Sequence, residues 1–208
     1  VSIMQDRTQD GYVFRTDLRL RPDPASTPPA VTVDAAYFYY ESVGQNWERA
    51  AMIKARPIAG DIEAGERFIK SLTPFMWRRN LDFASINDIH SIKRQMDTRQ
   101  SKKIRLEGHN IKLGLGGIRE IEFFTQIHQL IWGGREPNLR LKSTCDTLAV
   151  LTKMGLIDSE KETILKTAYV FLRTLEHRIQ MVADEQTHSL PTTNPEIKNI
   201  AQFMGYKN

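Results

Sequence analysis

The residues best suited to chemistry lie in the segment Gly11–Pro22 (GYVFRTDLRLRP), near the start of the chain. Aromatic and β-branched residues follow a glycine and a proline ends the run, which predicts a β-strand. Side chains alternate across a strand, so Asp17 would share one face with the arginines of the segment. These arginines are Arg15, Arg19 and Arg21. The face could hold a metal ion on the carboxylate and phosphate oxygens on the arginines, or it could be a surface ion-pair ladder; the spacing favours neither.

A glycine-rich loop, Gly114-Leu-Gly-Gly117, is a second candidate because it precedes a predicted helix that continues to about Trp132. Backbone N–H groups at a helix N-terminus favour anions such as phosphate. The loop lacks the third glycine of a dinucleotide-binding fingerprint and the Gly-Lys-Ser/Thr of a P-loop. A tight turn that leads into a buried helix is therefore the favoured interpretation.

Two polar stripes on predicted helices form the third candidate. The first stripe lies on an otherwise apolar helix and consists of Arg119, Glu122, Gln126 and Gln129, with Glu120 beside it. The second lies on a long later helix and consists of Arg173, Glu176, Gln180 and Asp184. Buried polar groups need partners. The stripes therefore either satisfy each other as a structural network, which is the favoured interpretation, or line a cleft that faces Asp17.

Other polar residues carry weaker signals. Lys54 and Arg56, beside Arg49, are candidate phosphate contacts, although basic residues are common at helix edges. The five histidines do not show metal-ligand spacing such as HExxH. Cys145 is the one cysteine, which excludes an internal disulfide and indicates a reduced, cytoplasmic protein.

Composition describes a globular chain of 208 residues, 40% hydrophobic and 26% charged, with a formal net charge of +4. The mild positive charge suits an anionic ligand without requiring nucleic acid. No apolar run is long enough to span a bilayer and no secretory signal is recognisable, so we expect no membrane association.

After the first strand, apolar periodicity and capping residues predict helices with short connections. They cover residues 34–43, 46–55, 61–72, 85–107, 118–132, 143–154, 158–183 and 194–205. The predicted fold is mainly α: an antiparallel helical bundle over residues 34–208, preceded over residues 1–33 by one or two strands that end an α/β domain. Because residues 1–7 look like the end of a helix, we expect the chain to be part of a longer protein.

Six blocks of the sequence resemble the bifunctional glutamine synthetase adenylyltransferase/adenylyl-removing enzymes, members of the nucleotidyltransferase superfamily. The blocks are Gly11–Pro22, Asn46–Asp61, Pro74–Phe83, Ile111–Gln126, Gly133–Ser143 and Asp184–Pro191. These enzymes are tandem, and each half holds a nucleotidyltransferase domain and a helical bundle. PFMWRRNLDF, GGIREIEF and DEQTHSLP are similar to the N-terminal, adenylyl-removing half.

The resemblance implies that residues 1–33 end a nucleotidyltransferase domain and that Asp17 is a catalytic ligand of Mg²⁺. Arg19 and Arg21, with Lys54 and Arg56, would neutralise phosphate charge. The whole enzyme would remove AMP from a tyrosine of glutamine synthetase by attack of inorganic phosphate, releasing ADP, and a PII signal protein would regulate it. The other metal-binding carboxylates of the superfamily should lie upstream of Val1, so this chain alone should be inactive.

Three alternatives stay open at this point. The chain could belong to the adenylylating half or to a PII uridylyltransferase, which has a related helical domain. It could also be a non-catalytic helical module that docks glutamine synthetase or a PII regulator. Nucleic-acid binding through the basic helix around residues 94–105 is the weakest, because no aromatic side chains interleave with those charges.

Overall fold

The computed structural model describes residues 2–11, 13–14, 16–79, 106–183 and 185–207. Contacts divide the chain into two compact units, Val1–Met76 (unit 1) and Trp77–Asn208 (unit 2). The secondary structure of the described residues is helical, which confirms the prediction of a mainly α fold. The predicted basic helix over residues 85–107 lies almost entirely outside the described residues, and the predicted domain boundary at residues 33/34 stays a prediction.

Unit 1 contains five helices in its described part: α1 Ser2–Gln5, α2 Val33–Ser42, α3 Asn46–Met52, α4 Ile62–Ser71 and α5 Thr73–Met76. Side-chain caps start the longer ones. Thr32 accepts the N–H of Ala35 ahead of α2, two residues before the predicted cap at Asp34, and Asp61 accepts the N–H of Ala64 ahead of α4, as predicted. Each cap satisfies one of the N–H groups that the first helical turn leaves unpaired.

The core of unit 1 lies where Tyr40 of α2 packs against Phe75 of α5. Tyr40 is 5% exposed, and its ring lies 5.2 Å from that of Phe75. A Cβ added at Gly44 would lie 2.6 Å from the Phe75 ring, so the chain can turn after α2 only with a glycine there. Ile53, Leu72 and other apolar residues complete this core.

The predicted strand over Gly11–Pro22 is wrong for the described residues of that segment, which are irregular, with bends and a turn near its end. Gly11 makes an isolated bridge to Thr8. Farther on, the N–H of Arg21 bonds to the carbonyl of Leu18 at 3.3 Å, which closes a turn. A strand needs a neighbouring strand to pair its backbone groups, and the described part of unit 1 supplies none.

Unit 2 contains the long helices of the structure: α6 Ile118–Trp132, α7 Thr144–Lys153, α8 Ser159–Ala183 and α9 Asn194–Phe203, with a 3₁₀ turn Pro137–Leu139. α6, α7 and α8 pack against one another and α9 packs against α8. Asp158 begins α8 by accepting the N–H of Lys161 at 2.7 Å, as predicted. No helix in the described ranges has both the length and the apolarity to cross a bilayer.

Two apolar clusters hold unit 2 together. The first centres on Leu139, Leu148 and Leu151, with Phe124 and Trp132 of α6 packed against it. The second joins Ile111 of the loop before α6 to α8 and α9; its other members are Leu175, Ile179 and Ile200. The second cluster brings the segments before α6 and after α8 to one end of the helices.

Candidate functional site

Asp17 and Arg19, the first predicted site residues, form a closed local pair. Asp17 Oδ1 accepts the backbone N–H of Arg19 at 3.0 Å, and the guanidinium donates to the carboxylate from Nε at 3.0 Å and from Nη2 at 2.6 Å. The side chains are 42% and 80% exposed, respectively. Hydrogen bonding to Asp17 raises the pKa of Arg19 above its usual value. The carboxylate and the guanidinium are therefore together and accessible, on a turn rather than on a strand.

The side chain of Arg21 binds backbone carbonyls of the loop around it. It donates from Nη1 to the carbonyl of Leu18 at 3.0 Å and from Nη2 to the carbonyls of Pro24 at 2.8 Å and Thr27 at 3.1 Å. Its side chain is half-buried. In this conformation Arg21 joins three backbone carbonyls of residues 18–27.

The basic residues around α3 divide into a buried member and two members nearer the surface. Arg49 is 1% exposed and donates to the carbonyl of Met76 from Nη2 at 3.1 Å, so it holds the end of α5. Nη1 also reaches Asn46 Oδ1 at 3.3 Å. Lys54 is half-buried and Arg56 is exposed, just after α3.

In the glycine-rich loop before α6 the N–H groups of Gly114, Gly116 and Gly117 are already used. Ile118 and Arg119 donate their N–H groups to the carbonyls of Ile111 and Lys112 at 2.9 and 3.0 Å. Glu120 takes the N–H of Gly116 on its carboxylate at 3.2 Å, and Glu120 donates its own N–H to the carbonyl of Gly117. The start of α6 is thus satisfied by the loop itself, which supports the tight-turn interpretation over a phosphate cradle.

Glu176 of α8 is the centre of a buried polar cluster, with a side chain that is only 3% exposed. Arg173 Nη1 lies 2.6 Å from Oε2, His188 Nδ1 lies 2.9 Å from Oε1, and Lys112 Nζ lies 3.7 Å from Oε1. Gln180 donates to the carbonyl of Thr187 at 3.2 Å beside it. The cluster therefore ties α8 to the loop before α6 and to the loop after α8.

Backbone pairing between those two loops reinforces the tie. The N–H of Ile111 bonds to the carbonyl of His188 at 2.9 Å, and the N–H of Leu190 bonds to the carbonyl of His109 at 2.9 Å. Asn110 and Ser189 form an antiparallel bridge between these bonds. Two blocks distant in sequence, Ile111–Gln126 and Asp184–Pro191, thus meet at Glu176.

The stripe on α6 separates into two parts. Glu122 pairs with Arg119 of its own helix, Oε2 to Nη1 at 3.7 Å, and accepts the hydroxyl of Tyr169 in α8 at 3.2 Å. Burial raises the pKa of Tyr169 above its usual value. Gln126 and Gln129 are buried, and Gln129 Nε2 donates to the carbonyls of Leu139 and Leu141, each at 2.7 Å. Asp184, the end of the second stripe, lies outside the described residues.

Three members of these contacts were not predicted from the sequence: Lys112, Tyr169 and His188. Lys112 and His188 both lie in blocks that carry the family resemblance, and this shared membership is the signal that could have found them. Tyr169 lies one turn before Arg173 on α8, beside the predicted stripe.

Two further blocks also meet in unit 2. Arg140 donates from Nε to the carbonyl of Gly133 at 2.7 Å and lies 5.8 Å from the centre of the Trp77 ring. Arg135 donates from Nε to the carbonyl of Arg79 at 3.1 Å. A side chain at Gly134 would collide with the backbone of Arg78. The segment after residue 76 is therefore held against the loop after α6.

Comparison with known proteins identifies the family to which these sequence blocks belong. The model of the family described as glutamate-ammonia ligase adenylyltransferase matches residues 1–71, and the model described as GlnD PII-uridylyltransferase matches residues 90–208. A bifunctional glutamine synthetase adenylyltransferase/adenylyl-removing enzyme of Rhizobium meliloti (strain 1021) is 63% identical over all 208 residues. The chain belongs to this family.

Other relatives carry the same description. The enzyme of Agrobacterium fabrum is 62% identical over the whole chain, and that of Caulobacter vibrioides is 59% identical over 99% of the chain. In each case the chain spans 21% of the length of the relative. The family resemblance found in the sequence blocks is thereby confirmed.

Proposed function

We propose that the chain is part of an enzyme that removes AMP from adenylylated glutamine synthetase by phosphorolysis and releases ADP. The observation that carries the proposal is the end-to-end similarity to enzymes whose description includes adenylyl removal. The blocks at residues 74–83, 116–123 and 184–191, which resemble the adenylyl-removing half, favour that activity over adenylylation. The enzyme would work in the cytoplasm, use nucleotide and phosphate, and respond to a PII signal protein.

Asp17 is the proposed catalytic residue and a ligand of Mg²⁺. Its carboxylate suits Mg²⁺, which prefers oxygen ligands and commonly takes only one or two carboxylates beside water and substrate phosphates. Within the described ranges no three acidic, histidine or cysteine residues gather as a metal site. The proposal therefore takes Asp17 as one ligand of a larger set, as the family resemblance implies. Mg²⁺ bound there would neutralise charge on the phosphoryl group.

Arg19 would contribute through its guanidinium. It is bound to Asp17 through Nε and Nη2, and it is largely exposed, so it can turn from the carboxylate to a phosphate oxygen at small cost. Arg21, Lys54 and Arg56 are the further proposed phosphate contacts. For Arg21 this requires release of the three carbonyls that it now binds.

The polar cluster of unit 2 has a positioning role in this proposal. Glu176 and its partners hold two family blocks in one arrangement, and the Glu122–Tyr169 bond fastens α6 to α8. Gln180 extends the same network by donating to the carbonyl of Thr187, and Gln126 is buried on α6. We propose that the surface held in place by this buried cluster orients glutamine synthetase or the PII protein.

The test is Asp17→Asn in the full-length protein, which keeps the shape of the side chain and removes its charge. Loss of one preorganised electrostatic contact costs about a hundredfold or more in rate. We expect deadenylylation to fall by that factor while the melting temperature hardly changes and adenylylation survives. Asp10→Asn, an exposed carboxylate on the same loop, is the matched control. Near-normal deadenylylation in Asp17→Asn would remove the catalytic assignment.

A second candidate follows from the uridylyltransferase model that matches residues 90–208. In this alternative the helices of unit 2 dock a PII protein, the chemistry lies entirely outside this chain, and Asp17 takes no part in it. The same variant separates the two, because a docking module would leave both activities of Asp17→Asn intact. Loss of adenylylation alone would instead assign the chain to the adenylylating half.

A further inference from the structure

Two side-chain contacts with α8, one from the loop before α6 and one from α6 itself, define a strip of surface on unit 2. Lys112, six residues before α6, pairs with Glu176, whereas Glu122 in the second turn of α6 bonds to Tyr169. As the chain advances from 112 to 122, its partner on α8 therefore moves back from 176 to 169. The two segments are antiparallel here, and Arg119 and Arg173 lie between the two ties.

The cations of this strip face solvent and the carboxylates lie beneath them. Arg119, Arg173 and Lys112 are 47%, 37% and 33% exposed, whereas Glu122 and Glu176 are 17% and 3% exposed. Three positive charges thus stand over two negative charges. We call Lys112, Arg119 and Arg173 the cationic strip.

Most hydrogen-bond donors of the cationic strip are not used by its carboxylates. Arg173 makes one short bond, from Nη1 to Glu176 at 2.6 Å. Lys112 Nζ and Arg119 Nη1 each stand 3.7 Å from a carboxylate oxygen, which is an ion pair but too long for a hydrogen bond. Guanidinium and ammonium groups carry five and three donors, so the strip keeps donors for a ligand.

The carboxylates also hold the cations in place. A side chain that is already ordered loses less conformational entropy when a ligand binds, so anchoring on a buried carboxylate favours affinity. Glu176 anchors both Arg173 and Lys112, and Glu122 anchors Arg119.

We propose that the cationic strip binds a phosphoryl group, either as inorganic phosphate or as a phosphate of a nucleotide. A single carboxylate presents two oxygens in a plane and one charge, which one arginine satisfies. A phosphoryl group presents three acceptor oxygens in different directions and up to two charges, which matches donors from three separate positions. The site lies wholly within unit 2 and does not depend on Asp17 or on the function proposed above.

The test is calorimetric titration of the 208-residue chain with inorganic phosphate and, in parallel, with ADP, at constant ionic strength set by chloride. Arg119→Gln and Arg173→Gln each remove one charged donor, and each should weaken binding about tenfold or more. Lys161→Gln is the matched control, because it removes an exposed positive charge from the first turn of α8, where Lys161 pairs with Asp158. Helical content and melting temperature confirm that each variant is folded.

The outcomes separate cleanly. Saturable binding that is weakened by Arg119→Gln and kept by Lys161→Gln supports the site, and the tighter of phosphate and ADP names the source of the phosphoryl group. If Arg173→Gln unfolds because Glu176 loses its shortest partner, Arg119→Gln decides the question, since Arg119 is about half exposed. The proposal is overturned by absence of saturable binding of both ligands up to about 10 mM. It is equally overturned by an unaffected Arg119→Gln, or by a Lys161→Gln variant that binds as weakly.

Discussion

Glu176 shows how one buried charge can organise residues from three parts of the chain. A carboxylate that is 3% exposed needs compensation, and here Arg173, His188 and Lys112 supply it. Those partners are themselves 21% to 37% exposed, so solvent moderates the energy of each pair. Removal of the buried Glu176 carboxylate should therefore cost more stability than removal of one of its partly exposed partners.

We therefore expect Glu176→Gln to lower the free energy of unfolding of the chain by about 2 kcal/mol, since the charge that its partners share is lost. Equilibrium denaturation monitored by helical circular dichroism measures the change. Glu160→Gln, an exposed carboxylate in the first turn of the same helix, is the control and should be close to neutral. An equal, small effect of both substitutions would mean that the cluster does not stabilise unit 2.

Tyr40 gives a pH dependence with a definite sign. Burial, with smaller contributions from the Glu48 charge and from Tyr39, raises the pKa of Tyr40 from 10.0 to about 12. Between these values the unfolded chain has lost a proton that the folded chain keeps. The free energy of unfolding should therefore fall as pH rises from 10.0 towards about 12, and the contribution is fully present below that range.

Tyr40→Phe should flatten this alkaline slope, because the titrating group is gone. The measurement is denaturant unfolding at a series of alkaline pH values, with Tyr206→Phe, an exposed residue, as the control for loss of one phenol. A slope identical in Tyr40→Phe and the parent chain would assign the alkaline sensitivity to other groups.

The loop before α6 makes its glycines necessary for two different reasons. A Cβ at Gly117 would lie 2.8 Å from the carbonyl oxygens of Gly114 and Ile111, which accept the N–H groups of Gly117 and Ile118 where the loop enters α6. A Cβ at Gly116 would meet open space, but its φ of +73° is one that other residues rarely adopt. Gly117 is required by packing, and Gly116 is required by backbone conformation.

Alanine substitutions separate these costs. Gly117→Ala should lower the free energy of unfolding by about 2 kcal/mol, because backbone atoms must shift to make room. Gly116→Ala should cost about 1 kcal/mol, since only the left-handed conformation is penalised. Thermal and denaturant unfolding of the pair measures both. A larger loss for Gly116→Ala than for Gly117→Ala would contradict the packing argument.

For the molecule as a whole, the proposed activity needs more metal ligands than the described residues bring together around Asp17. Asp17 is one carboxylate, and phosphoryl-type transfer depends on positioning and on charge stabilisation by several groups. We therefore expect that the 208-residue chain releases no ADP from adenylylated glutamine synthetase when Mg²⁺ and phosphate are present. The assay uses the full-length protein as its positive control, and detectable ADP from the chain alone would refute the incomplete-site argument.

Local sequence patterns were sufficient to predict most of the helices and to recognise the family. The apolar stripe and the Asp158 cap predict a helix over 158–183, and the structure places α8 at Ser159–Ala183. Capping and periodicity act within a few residues, so they can be read directly from the sequence. The blocks that carried the family resemblance likewise needed no structure, and the comparisons confirmed the family.

Contacts between distant segments were decided only by the tertiary structure. A strand around Asp17 would depend on a neighbour for its hydrogen bonds, and the described residues of unit 1 supply none; there Asp17 closes a turn with Arg19. Arg49 has the sequence context of a surface cation, yet it is buried against the carbonyl of Met76. Lys112 and His188 meet at Glu176 because apolar packing of Ile111 on α8 and α9 brings their loops together. Periodicity describes which face of a helix is apolar, but the partner of that face is chosen by the packing of the whole unit.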